Sequence, residues 1–189
     1  MKTADGKNIF DSAQVFGSAL VFGSARVSGS ARVFGSALVF DSALVFDSAR
    51  VSDSAQVFGS ARVSDSARVS DSALVSGSAL VFGSARVSGD GKIERTMDYA
   101  TIGPIGSRND TLTMYRTARG TIELTTGCFR GTYREFIAAV KQTHGTNEHY
   151  EEYREAVSAL YRVMVMRGKR FGWFNEAAEN ARPTGENDG

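Results

Sequence analysis

The chain has 189 residues, is 42% hydrophobic and 23% charged, and carries 22 Lys and Arg against 21 Asp and Glu, which leaves a formal charge of +1. Without a basic excess, the composition does not favour nucleic acid or an anionic membrane as a partner. A single cysteine, Cys128, excludes an intramolecular disulfide and predicts neither a metal site nor a cofactor. The sequence shows no apolar segment as long as a signal peptide or membrane span, so we expect a cytoplasmic protein.

A six-residue repeat dominates residues 9–93. Its units read Asp or Gly, Ser, Ala, a variable residue, Val, and Phe or Ser, and Val occupies every sixth position from Val15 to Val87. In an extended chain the Ala and Val of one unit point to the same side, while the residues after them point to the other. The Asp or Gly followed by Ser predicts a corner, where Asp or Ser can bond to nearby amides. Strands and corners that repeat in this way predict a solenoid with a core of Ala and Val.

The variable residues indicate how many strands form one coil. Sorted with an 18-residue period, they give three faces: Gln14, Arg32, Arg50, Arg68 and Arg86 on the first, Leu20, Leu38, Gln56 and Leu74 on the second, and Arg26, Leu44, Arg62 and Leu80 on the third. This sorting keeps every Leu off the first face, whereas a two-sided coil mixes Leu with Arg on both sides. The sequence therefore predicts a mainly β protein that begins with a three-sided β-helix of about five coils.

The second face combines its Leu residues with Phe in the position after Val. Contiguous outward apolar surface usually marks association with another surface. We therefore expect this face to pack against a second copy of the chain, with the chain's own C-terminal domain as the alternative. The residues predicted for this interface are Leu20, Phe22, Leu38, Phe40, Phe58 and Leu74.

The pattern Ala-x-Val-x-(Gly/Asp)-Ser over residues 9–93 resembles the hexapeptide-repeat family of left-handed β-helix proteins. The resemblance implies a triangular prism, commonly assembled as a trimer, in a family that contains acyltransferases and also non-enzymatic members. The acyltransferases use a His as general base, but residues 10–91 contain no His, Lys, Glu or Cys. An enzymatic interpretation therefore depends on His144, in the C-terminal part of the chain.

The composition changes after residues 89–91, which predicts a β-helix at 1–94, a small α+β domain at 95–174 and a flexible tail at 175–189. Alternating residues on either side of a Gly-containing loop predict a β-hairpin from Leu112 to Thr125. Thr132 forms a capping box with the Glu three residues on, before a helix of about three turns that ends near Gly145. A second helix begins at Asn147. Its apolar stripe consists of Tyr150, Tyr153, Val157, Leu160, Tyr161 and Met164.

Segments 102–108, 126–129 and 144–145 are similar to a small domain that follows hexapeptide repeats in uncharacterised bacteriophage and prophage proteins. This resemblance implies a viral protein in the cytoplasm of an infected bacterium and names no reaction. We therefore expect a non-enzymatic homo-oligomer, with the family favouring a trimer, that captures a host protein or a small anionic ligand such as a nucleotide. The expected ligand contacts are Arg108, Arg116, Arg119 and His144.

Two alternative functions stay open. The first is an acyltransferase with His144 as general base, although His144 lies at a predicted helix end, where a polar ring commonly serves as a cap. The second is a purely structural, self-assembling solenoid. Cys128 is either a nucleophile activated by a neighbouring base or a small buried apolar residue. Segment 103–108 forms either a plain turn or a loop that wraps amides and one Arg around an anion.

Overall fold

The computed structural model describes residues 8–181, and the chain divides into two compact units between Thr96 and Met97. In the described residues, the first unit is a three-sided β-solenoid, and the second is a four-stranded antiparallel sheet with three α-helices. The predicted fold class is therefore confirmed. Within the same residues, none of the helices has the length and apolar character needed to cross a membrane.

Each solenoid strand is two residues long and consists of the variable residue and the residue after it. The first face contains β1 (Gln14–Val15), β4 (Arg32–Val33), β7 (Arg50–Val51), β10 (Arg68–Val69) and β13 (Arg86–Val87). The second contains β2 (Leu20–Val21), β5 (Leu38–Val39), β8 (Gln56–Val57), β11 (Leu74–Val75) and β14 (Lys92–Ile93). The third contains β3 (Arg26–Val27), β6 (Leu44–Val45), β9 (Arg62–Val63) and β12 (Leu80–Val81).

All strands within a face are parallel, and paired residues lie 18 positions apart, as Leu20 and Leu38 do. The predicted 18-residue coil is thus confirmed, and fourteen strands on three faces make between four and five coils. Inside the coils, every Ala and Val of the repeat from Ala19 to Val87 is at most 1% exposed. The core stays narrow because each coil places a small residue and a branched residue directly over those of the coil before.

Every corner of the solenoid starts with Gly or Asp in the left-handed region, with φ between 56° and 72°. Asp fits there because its short polar side chain can hydrogen-bond locally while the backbone is left-handed. The Asp53 carboxylate accepts the backbone N–H of Asp71 at 3.4 Å, and Asp71 in turn accepts the N–H of Gly89 at 2.8 Å. The amide that a corner carboxylate binds is therefore near in space but 18 residues away in the chain.

The second unit is built on an antiparallel sheet in the order β15 (Tyr99–Ile105), β16 (Asp110–Arg116), β17 (Ile122–Thr126) and β18 (Phe129–Gly131), preceded by a short 3₁₀ turn at Thr96–Asp98. The pairing of β16 with β17 confirms the predicted hairpin. The edge strands β15 and β18 do not follow from the sequence pattern. β15 contains Pro104, which a sheet tolerates at its edge, and β18 is only three residues long.

Helices α1 (Tyr133–His144) and α2 (Glu148–Arg170) begin as predicted. The capping box at Thr132 opens α1, and the side chain of Asn147 opens α2. Both helices pack on one face of the sheet. The core between them consists of Leu112, Met114, Ile122, Leu124, Phe136, Val140, Tyr153, Val157 and Met164, together with Ile105 and Trp173.

A third helix, α3 (Glu176–Ala181), occupies the start of the segment expected to be a flexible tail. Its Glu179 carboxylate accepts the N–H of Ile122 at 2.9 Å and the hydroxyl of Tyr161 at 2.9 Å. The segment was expected to be a tail because it lacks apolar residues. These polar contacts nevertheless anchor its first part. The remainder of the expected tail, residues 182–189, lies outside the described residues.

Candidate functional site: a cleft in the second unit

A cleft of about 240 Å³ opens in the second unit between the β15–β16 loop, the β17–β18 turn and helices α1 and α2. Its apolar wall includes Phe129, Phe136 and Val140. The polar residues that line it include Arg108 and His144, two of the four ligand contacts expected from the sequence. The fold thus brings together two residues that lie 36 positions apart in the chain.

Arg108 enters the cleft from the loop between β15 and β16. The loop bends at Gly106, whose φ is +64° and where a Cβ would overlap the phenol ring of Tyr153. The N–H of Gly106 donates to the Glu152 carboxylate at 3.0 Å, so this one amide of the loop is already occupied. In the described part of the chain, the Arg108 guanidinium makes no hydrogen bond or ion pair.

Tyr153 forms the buried side of the cleft and is only 7% exposed. Its ring packs edge-to-face on Phe136, with centroids 5.4 Å apart, and lies 6.1 Å from the ring of His144. Its hydroxyl has no hydrogen-bond partner among residues 8–181. Burial, and then the charge of Glu152, raise the pKa of Tyr153, so the hydroxyl stays protonated at neutral pH and is available as a donor. The apolar stripe of α2 indicates a core role for Tyr153 but does not reveal this free hydroxyl.

His144 is the last residue of α1 and lies half-buried at the cleft. The helix end is capped by the backbone of Gly145, whose N–H donates to the carbonyl of Lys141 at 2.8 Å. The imidazole packs near the ring of His149, at 5.6 Å between centroids, and its nitrogens make no hydrogen bond within the described residues. The ring is therefore free to contact a ligand.

Cys128 lies exposed on the turn between β17 and β18, so the expectation of a buried apolar thiol is wrong. The turn is held beside the β15–β16 loop by Asp110, whose carboxylate accepts the N–H groups of Gly127 at 3.0 Å and Thr111 at 2.8 Å. In residues 8–181, no group of three His, Cys, Asp or Glu side chains comes together as a metal site requires.

The other two expected ligand contacts lie outside the cleft lining. The Arg116 guanidinium is 3.6 Å from the fully buried carboxylate of Asp98 and lies over the Trp173 ring at 5.6 Å. These contacts give Arg116 a structural role inside the unit. Arg119 is exposed on the turn between β16 and β17. The cleft therefore presents a single arginine, Arg108, among its lining residues.

The predicted interface residues of the solenoid lie in register on the second face, where Gln56 separates Leu38 from Leu74 in the row of Leu side chains. Phe22, Phe40 and Phe58 stack with centroids 5.1 and 4.9 Å apart and nearly parallel planes. Phe22 is 47% exposed and Leu20 is 39% exposed, while the other members are partly exposed. We call the set the second-face ladder: Leu20, Phe22, Leu38, Phe40, Phe58 and Leu74.

The first face differs from the second in charge. Four Arg residues lie in register on its neighbouring strands: Arg32, Arg50, Arg68 and Arg86. Four carboxylates at the corners on either side of these strands carry the opposite charge: Asp47, Asp53, Asp65 and Asp71. This face therefore has balanced charge, which is typical of a solvated surface and gives a polyanion little net attraction.

No protein-family model matches the chain, and no curated protein or solved structure matches it. Of the resemblance drawn from the repeat, the structure shows stacked coils of parallel strands, consistent with a β-helix. The functions of the cleft and of the second-face ladder therefore have to follow from their own chemistry.

Proposed function

We propose that the protein is a non-enzymatic, oligomeric binding protein whose second unit captures a small anionic ligand such as a nucleotide. One observation carries the proposal: Arg108, Tyr153 and His144 line a single cleft, and their side-chain polar atoms have no hydrogen-bond partner in the described residues. Arg108 is exposed and His144 is partly exposed, so a ligand in the cleft can reach these groups without first displacing a partner from the protein.

The composition of the cleft matches such a ligand. The Arg108 guanidinium can pair with a phosphate or carboxylate, and the phenol of Tyr153 can donate to a further oxygen. Phe129, which is partly exposed in the cleft wall, supplies apolar surface against which a flat base can lie. A largely apolar cleft with a few convergent polar groups is the usual form of a small-molecule site.

Binding is favoured over acyl transfer by the surroundings of His144. A His that acts as general base is normally oriented by a third group bonded to its second nitrogen. In the described residues the ring of His144 makes no hydrogen bond, whereas the nearby carboxylate of Glu152 lies 4.0 Å from His149. His144 is therefore better suited to contact a ligand than to take a proton from one.

Calorimetric titration with small anions that carry a flat ring, from aromatic carboxylates to nucleoside mono-, di- and triphosphates, tests the capture function. Arg108→Gln should weaken binding about tenfold or more, because a hydrogen bond to a charged group contributes about 1.5–3 kcal/mol. Arg119→Gln is the matched control, since it removes an exposed arginine outside the cleft lining and should leave the affinity unchanged. Absence of binding in the parent protein, or equal losses in both variants, would contradict the proposal.

The second-face ladder supports assembly with further copies of the chain. Apolar side chains exposed on a protein surface are stabilised when a second surface covers them. The balanced charge of the first face makes it the less suitable of the two for this contact. The resemblance to hexapeptide-repeat proteins, which are commonly trimers, favours three copies. We propose a trimer in which a neighbouring copy covers the second-face ladder of each copy.

The repeat itself provides a matched test of the assembly. Ser occupies the position after Val in several coils, so Phe→Ser at this position keeps a residue that the fold already uses. We expect Phe22→Ser with Phe40→Ser to convert the oligomer to monomers in native mass spectrometry. The control is Phe16→Ser with Phe34→Ser on the first face, because that pair stacks at the same 5.1 Å centroid distance. A monomeric parent protein, or equal effects of the two pairs, would contradict the assembly.

A further inference from the structure

The charges around the cleft bear on how many charges its ligand carries, an inference that rests on the proposed capture function. Three charged side chains act on the hydroxyl of Tyr153, namely Arg108, Asp110 and Glu152. One is a cation and two are anions. They differ in whether the protein already provides them with partners, and that difference determines what they offer a ligand.

Both carboxylates already accept hydrogen bonds from the backbone. Asp110 accepts from the amides of Thr111 and Gly127, and Glu152 accepts from the amide of Gly106. The guanidinium of Arg108, in contrast, makes no hydrogen bond or ion pair with the described residues. The cleft thus offers one cation without a partner, next to two carboxylates that keep their negative charge.

A ligand's first negative charge can pair with Arg108. A second negative charge within the same cleft lies near Asp110 and Glu152 and is repelled, because like charges interact unfavourably. Charge selection of this kind acts by excluding the wrong ligand as much as by attracting the right one.

The apolar wall limits the shape of the ligand. Phe129 and Phe136 meet edge-to-face at 5.3 Å, and Phe136 meets Tyr153 in the same way at 5.4 Å. Phe136 is only 3% exposed, so the partly exposed ring of Phe129 is the one that offers surface to a further flat group. The hydroxyl of Tyr153 then lies at the border between this wall and the polar side of the cleft.

We infer that the cleft selects a singly charged anion attached to a flat apolar ring. Its oxyanion pairs with Arg108, an oxygen accepts from the hydroxyl of Tyr153, and the ring lies against Phe129. Aromatic carboxylates and sulfonates have this chemistry. Nucleoside triphosphates do not, and a phosphate monoester, which carries close to two charges at neutral pH, is the poorer fit.

A ligand series with one ring and three charges tests the inference. The full chain is titrated with 2-naphthamide, 2-naphthoate and 2-naphthyl phosphate at about pH 8, where imidazole groups are ordinarily neutral and the phosphate carries two charges. We expect 2-naphthoate to bind at least tenfold more tightly than either of the others, and naphthalene-2-sulfonate to match it. Tightest binding of the phosphate would overturn single-charge selection while the capture function stands. Equal binding of the amide and the carboxylate, or no binding by any probe, would overturn both.

Neutralising the two carboxylates distinguishes charge repulsion of the phosphate from a poor steric fit of the phosphate in the cleft. Glu152→Gln keeps an acceptor oxygen for the Gly106 amide but removes the charge, and we expect it to raise the affinity for 2-naphthyl phosphate severalfold with little change for 2-naphthoate. Asp110→Asn should act in the same direction. Glu155→Gln, on the same helix but not among the charges that act on the Tyr153 hydroxyl, is the control and should change neither affinity. Unchanged phosphate affinity in both Glu152→Gln and Asp110→Asn would overturn the inference.

Discussion

The corners of the solenoid allow a direct test of what holds neighbouring coils together. Gly35 has a φ of +72°, and a Cβ there would lie 2.8 Å from the backbone N of Asp53 and 3.0 Å from its Cα. Gly83 has a similar φ of +67°, but a Cβ there would meet nothing within 4 Å. Gly35→Ala and Gly83→Ala therefore share the same backbone strain, and only the first also collides with the next coil.

The expected magnitudes follow from these two terms. A residue with a Cβ in the left-handed region costs about 1–2 kcal/mol, and the reduced freedom of the unfolded chain offsets about 0.4–1 kcal/mol of this. We therefore expect Gly83→Ala to lower the free energy of unfolding by about 1 kcal/mol. Gly35→Ala should cost a further 1–2 kcal/mol, roughly the cost of overpacking. Gly35→Asp should recover about 1 kcal/mol, because its carboxylate can accept the Asp53 amide.

Urea unfolding followed by far-ultraviolet circular dichroism measures the three variants against the parent protein. The expected order of stability is Gly83→Ala first, Gly35→Asp second and Gly35→Ala last. If Gly35→Ala were as stable as Gly83→Ala, the close approach of the coils would not limit the corner. If Gly35→Asp were no better than Gly35→Ala, the corner carboxylates would contribute nothing to stacking.

Two further predictions concern the two cores. Val51→Ala removes buried methyl groups from a fully buried site in a central coil and should lower the free energy of unfolding by about 2–3 kcal/mol in the same urea assay, whereas a loss below about 0.5 kcal/mol would contradict close packing. In the second unit, burial and then the charge of Glu179 raise the pKa of Tyr161 above its ordinary value of 10.0. The unfolded chain therefore ionises this hydroxyl at a lower pH than the folded protein does. The resulting contribution of Tyr161 to stability is complete below about pH 10 and is lost as the pH rises. Between about pH 10 and 11 the parent protein should therefore lose up to about 1.4 kcal/mol more than Tyr161→Phe does, and equal pH slopes in thermal unfolding would refute this.

The solenoid was predictable because one six-residue unit contains most of what determines its structure. The spacing of Ala and Val defines the inner side, and Leu sorts onto two of the three faces only with an 18-residue coil. The hydrogen bond that the Asp71 amide donates to the Asp53 carboxylate was not predictable in the same way. Its partner belongs to the next coil, so it can be assigned only once the stacking of the coils is known.

In the second unit, signals within a short stretch of chain predicted the hairpin and both long helices, and the missed elements lack such signals. β15 contains Gly and Pro104, which indicate a turn unless the strand lies at a sheet edge. α3 has six residues, too few for a periodic apolar stripe. The one available signal was Asn175, whose side chain accepts the N–H of Ala178 at 3.0 Å in the manner of a helix N-cap.

The candidate site was only partly accessible from the sequence. Arg108 and Arg116 look alike as isolated charged residues in a β-rich segment, yet one lines the cleft without a partner and the other is paired with buried Asp98. Tyr153 belongs to an apolar stripe, and a stripe does not show which of its members borders a cleft. The fold supplies this information because it decides which polar atoms the protein itself leaves without partners.

The two proposed roles use separate groups of residues, so they should be separable by mutation. The second-face ladder belongs to the solenoid, whose residues 10–91 contain no His, Lys, Glu or Cys. Every residue that lines the cleft belongs to the second unit of the same chain. A Phe22→Ser and Phe40→Ser variant that no longer assembles should therefore still bind one 2-naphthoate per chain, with an affinity within about twofold of the parent protein, which is the scatter expected for uncoupled sites. If binding disappeared together with the oligomer, a neighbouring copy would have to complete the cleft, and the ladder would then be part of the binding site.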